Sequence, residues 1–181
     1  MGNILEIINE NAQILGLFAP LVAIIISVFA LNQTKRSIEE ANRPYVVVYR
    51  DYIQVLSSIH EYLVIKNFGK SGAIIDSVLF EPSYYDSVRN KEIFNNISDT
   101  FIAPGQSISK VVSTNAFAVE RNGMIKVTIK YHAGKKKYQE VISLNEEIIH
   151  DLTFTKTKPS SSHSLQEVIT KATEELLRRN L

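Results

Sequence analysis

Gly69-Lys70-Ser71 is the first place where residue types and spacing suggest chemistry, because a glycine-rich loop ending in Lys-Ser can cradle phosphates. That loop needs another glycine five residues before Gly69, where Val64 stands, and a helix after it, where a β-rich segment follows. Nucleotide binding is not expected. His60, His132, His150 and His163 have no partner at metal-ligand spacing, so each reads as an ordinary strand or linker residue. Serines cluster in turns and in Ser160–Ser164 without a strained nucleophile turn, which leaves a triad only to distant residues meeting in space. Asp76, Glu81, Asp86 and Asp99 lack the alternating pattern of a calcium loop and read as solvated charges. The chain has no cysteine, so thiolate nucleophiles and cysteine metal sites are absent together. No catalytic residue, metal or cofactor is expected, and the reading is non-enzymatic.

Contact chemistry is the alternative. Lys135, Lys136 and Lys137 form a basic tip that could touch anionic lipid headgroups, although a lysine turn also simply solubilises. Tyr84, Tyr85 and Phe94 fall in the irregular stretch Pro82–Asp99 and suit a partner contact. A net charge of +1, from 20 basic and 19 acidic side chains, argues against a nucleic-acid surface.

The elements that position these residues begin with Ile14–Leu31, an 18-residue run without a charge. As a helix it reaches about 27 Å, the thickness of bilayer hydrocarbon. No Lys or Arg precedes it and no small-x-small cleavage site follows, so an uncleaved single-pass anchor fits better than a signal peptide. Lys35, Arg36 and Arg43 after the run place the rest of the chain in the cytoplasm, at the cell membrane. Residues 1–13 read as an interfacial segment, 14–31 as the span and 32–43 as a helical stalk that stops at Arg43-Pro44. Pro20 is expected to kink the span, and Ala19, Ala23 and Ser27 form a small-residue stripe suited to self-association.

Residues 44–154 read as mainly β, an antiparallel sandwich. Strands are expected near Tyr45–Val55, Glu61–Asn67, Ala73–Phe80, Ser107–Ser113, Met124–His132 and Lys137–Leu144, with a weaker one at Glu92–Ile97. Ile125, Val127, Ile129 and Tyr131 alternate with polar residues, the clearest case of one buried face. Ala133-Gly134-Lys135-Lys136 turns this strand back, while Asn67–Gly72 and Ala103-Pro104-Gly105-Gln106 make glycine-bearing loops. Residues 155–163 are a polar linker, and 164–181 an amphipathic helix with Leu165, Val168, Ile169 and Leu176 on its apolar face.

The span, then Asn42-Arg43-Pro44-Tyr45-Val46-Val47-Val48, then Tyr62–Ala73 with Asn67, Gly69, Ser71 and Ala73 at alternate positions, then Ile102–Ser107, together resemble uncharacterised bacterial membrane-anchored proteins. The soluble part of those proteins is similar to immunoglobulin-like domains used for adhesion and assembly. The resemblance implies an immunoglobulin-like β-sandwich and carries no catalytic residue across. Membrane lipid, further copies of the chain and an unidentified protein are the expected partners. An alternative of a different class is an oligomeric membrane effector or pore-forming subunit, as in bacterial anti-phage systems.

Overall fold

A computed structural model describes residues 2–55, 58–86, 91–118, 122–152, 168, 169 and 173, with the backbone alone at 2–15, 17, 19, 54, 55, 58 and 118. Two compact units meet in sequence between Arg43 and Pro44. The first is a single 40-residue helix, α1 (Gly2–Ala41), which runs unbroken through Pro20. Its stretch Pro20–Ala41 is long and apolar enough to cross a bilayer, and none of it is buried within the chain. Hydroxyls in this stretch bond to their own helix: Ser27 Oγ donates to Ala23 O at 2.7 Å and Thr34 Oγ1 to Ala30 O at 2.8 Å. Asn42 closes the helix by donating Nδ2 to Ile38 O at 2.9 Å.

The second unit is mainly β, with strands β1 (Val46–Val55), β2 (Ser58–Asn67), β3 (Ala73–Glu81), β4 (Tyr85–Asp86), β5 (Lys91–Glu92), β6 (Thr100–Ile102), β7 (Ser107–Ser113), β8 (Met124–Ala133) and β9 (Lys136–Asn145). They form a three-stranded sheet β1-β2-β7, a four-stranded sheet β6-β3-β8-β9 and a small ribbon β4-β5. Every pairing is antiparallel. Both larger sheets send side chains into one core: Val46, Val48, Leu63 and Ile65 from one, Ile75, Ile102, Val127 and Tyr131 from the other. Burial of these aliphatic groups is the main stabilising contribution, at about 1.5–3 kcal/mol for each large side chain. A smaller cluster of Ile59, Ala116 and Ile149, backed by Tyr52 and Leu152, lies apart from it.

The alternation in β8 is realised in full: Ile125, Val127, Ile129 and Tyr131 are buried. Gly134 at φ 59° begins the two-residue turn from Ala133 to Lys136, a positive φ at the first central position that suits the strand twist. Three expectations are corrected. Glu92–Ile97 is not a strand beyond Glu92, because Phe94 takes φ 60° and Ile93 and Ile97 both turn into the core. Thr100–Ile102, where no strand is expected from the sequence, is a strand paired with β3. Gly69 and Gly72 do not use positive φ; a Cβ at Gly72 would instead lie 2.5 Å from Phe101 Cζ. Of the expected C-terminal amphipathic helix, Val168, Ile169 and Thr173 are helical, and Leu165, Leu176 and the linker lie outside the described residues.

Candidate functional surface

The motif that suggested a phosphate loop is a structural clasp. Asn67 is fully buried at the end of β2, where Nδ2 donates to Ser71 O at 2.8 Å and to Ile102 O at 3.3 Å. Its Oδ1 accepts from Tyr45 N at 3.2 Å and Gly69 N at 2.9 Å, while its backbone N–H and C=O pair with Gln106 O and Gly105 N. One amide thereby joins the entry to β1, the β2–β3 loop and the β6–β7 turn. Gln106 completes the turn by accepting from Ala103 N at 2.8 Å. Lys70 projects from this loop as an exposed side chain, and none of these bonds reserves a cradle for a ligand.

At the opposite end of the core a guanidinium is enclosed between two carboxylates. Arg50 on β1 has Nη1 3.3 Å from Glu61 Oε1 on β2 and Nη2 against Glu146 Oε1 just beyond β9. Exposure of these side chains is 6%, 0% and 5%, and Tyr84 covers the guanidinium at 5.8 Å from its ring centroid. A buried trio of this kind fixes the register of neighbouring elements and offers no open face for a substrate. Sequence reading missed it, although a signal exists: Arg50 continues the inward phase of Val46 and Val48, and Glu61 that of Leu63 and Ile65.

Among the described residues, His132 is a histidine paired with a carboxylate. Its Nδ1 lies 2.7 Å from Asp76 Oδ1, with both side chains about one-third exposed at 29% and 37%. The register slips between Ile75 and Ser77, making Asp76 the extra residue of a β-bulge that turns its carboxylate toward β8. Such a pair can orient an imidazole as a base or a metal ligand. Among the described residues, no third His, Cys, Asp or Glu joins it.

The residues expected to make contacts are dispersed. Tyr84 is half-buried, packing on Phe80 at 5.9 Å, and Phe94 is half-buried against the core, whereas Tyr85 is 54% exposed. Phe94 also lines an open groove of about 1040 Å³ with Lys91, Asn95, Ile108 and Lys110. Lys110 enters that groove from the inward face of β7 and meets buried Asp86 at 3.4 Å. Lys135, Lys136 and Lys137 are all exposed at the β8–β9 turn. Val168 and Ile169 are exposed, and Ala23 and Ser27 lie on the exposed surface of α1. The side chain of Ala19 is outside the description.

A protein family described as Domain of unknown function (DUF8453) matches residues 8–150. The chain belongs to this family. The DUF8453 match takes in most of α1 and all nine strands, so the long helix and the β unit occur within one family unit. No curated protein matches the chain.

Proposed function

We propose that this protein is a membrane-anchored, non-enzymatic interaction or assembly module, with α1 as a single-pass anchor and an immunoglobulin-like β-sandwich on the cytoplasmic face. The observation that carries it is the unburied apolar stretch Pro20–Ala41, followed after Arg43 by a β unit with its own core. Two antiparallel sheets that share one cluster of buried side chains support the sandwich reading. Lys35, Arg36 and Arg43 on the distal side of the span support the cytoplasmic orientation. The polar groups near the core are tied to structural neighbours, which supports display and contact over turnover.

Fractionation of cells expressing the full chain tests the anchor: the protein is expected in the membrane pellet after alkaline carbonate washing and in solution only with detergent. Recovery in the soluble fraction without detergent refutes the anchored reading. The mass of the detergent-solubilised chain then separates a monomer or small assembly from a large ring, the outcome that would favour the pore-forming alternative.

A further inference from the structure

We propose that the end of the β unit where the chain enters from α1 is a docking face for anionic lipid headgroups; the inference rests on the anchored reading above. The registers bring one set of connections to this end. Val46 pairs with Asn67, Lys66 with Ser107, Ala73 with Ile102, and Ala133 with Lys136. Bonds between the sheets gather them further, with Asn67 Nδ2 reaching Ile102 O and the Tyr131 hydroxyl donating to Pro44 O at 3.3 Å. Pro44, the 68–72 loop, the 103–106 turn and the lysine hairpin therefore share one end of the β unit.

What this face exposes is the composition that suits a headgroup layer. Tyr45, Phe68 and Phe101 are 42%, 54% and 60% exposed, and Lys70, Lys135, Lys136 and Lys137 are exposed on connections at the same end. Lys66 lies with Nζ 4.9 Å over the Phe68 ring, so cation and aromatic surface are presented together. Aromatic rings favour the membrane–water boundary, and lysines gain from the negative surface potential of anionic lipid. Glu81, Glu146, Glu147 and Asp151 belong to the far end of the sheets or the turns beyond it. Of the carboxylates nearer this face, Glu140 Oε1 accepts from the Tyr131 hydroxyl at 3.2 Å and Asp76 is engaged by His132.

Distance permits the contact. Residues 32–41 continue α1 beyond the apolar run, and a ten-residue helical stalk adds only about 15 Å. Asn67 ties the entry to β1, the 68–72 loop and the 103–106 turn together, so the backbone of this part of the face is arranged before lipid arrives.

The cysteine-free chain allows a direct test with the full-length protein in nanodiscs. A bimane fluorophore on Ser107→Cys reports this face, one on Met124→Cys reports the opposite end, and nitroxide-headgroup lipid is the quencher. Quenching of the Ser107 probe is expected in discs containing phosphatidylglycerol, with little in pure phosphatidylcholine and little at the Met124 position. Lys70→Glu with Lys135→Glu should lower the docked-to-free ratio at least about tenfold, and 0.5 M salt should release the face similarly. Equal quenching in neutral and anionic discs, or quenching untouched by the double substitution, overturns the docking face while leaving the anchor intact. Failure of the chain to enter discs at all is the separate result that removes the anchor and the face with it.

Discussion

Asn67 shows how a single side chain can set the geometry of several loops. Its amide donates twice and accepts twice within a fully buried site. Aspartate has the same shape but cannot donate, so Asn67→Asp sets carboxylate oxygens against the carbonyls of Ser71 and Ile102. Asn67→Asp and Asn67→Ala are each expected to lower unfolding stability by about 3 kcal/mol, read by chemical denaturation of the detergent-solubilised chain. Arg50 poses the opposite problem, since its loss strands two buried carboxylates. Arg50→Met is expected to cost about 3–5 kcal/mol, whereas Arg50→Met combined with Glu61→Leu and Glu146→Leu should recover most of it. If the triple variant is no more stable than the single one, the loss comes from packing and not from stranded charge.

At the scale of elements, the Phe101 ring of β6 rests where a side chain at Gly72 would stand. The obstructing atoms are the far end of Phe101, an exposed ring free to swing outward. Gly72→Ala is therefore expected to cost about 1–2 kcal/mol, and Phe101→Ala in the same chain should cancel most of that loss in a double-mutant cycle. The long strands were legible because alternation over many positions leaves one consistent phase, as in Ile125, Val127, Ile129 and Tyr131. β6 was not, since three residues between Asp99 at φ 59° and the Pro104 turn carry too little periodicity. The Asp76–His132 pair was equally hidden, because it depends on a bulge that shifts the register of β3 against β8. Asn67 stood inside a motif already noticed, yet sequence could not tell a residue that closes a loop from one that holds a ligand. The lysine hairpin was legible as a turn, but that it shares one end of the β unit with the Phe68 loop and β6 follows only from the strand pairing.

For the whole molecule, the question is where copies of the chain would meet. Along α1 the Ser27 hydroxyl is already bonded to Ala23 O, so association through the small-residue stripe would gain from close backbone packing more than from a shared polar bond. Simultaneous replacement of Ala19, Ala23 and Ser27 by Leu is expected to reduce any span-driven oligomer to monomer, as read from the detergent-solubilised mass. An unchanged mass shifts the interface to the β unit.

On the anchored reading proposed above, confinement to a bilayer would give the semi-buried Lys110–Asp86 pair a further significance. Among the described residues β7 pairs with one strand, β2, and its other edge carries no ladder partner there. Neighbouring proteins in a membrane drift in two dimensions at high local crowding, the setting in which open templates stack into ribbons. An inward-turned ammonium midway along Ser107–Ser113 penalises an incoming strand that would have to strip its water. On that reading Lys110 would help keep copies from pairing edge to edge where lipid brings them side by side.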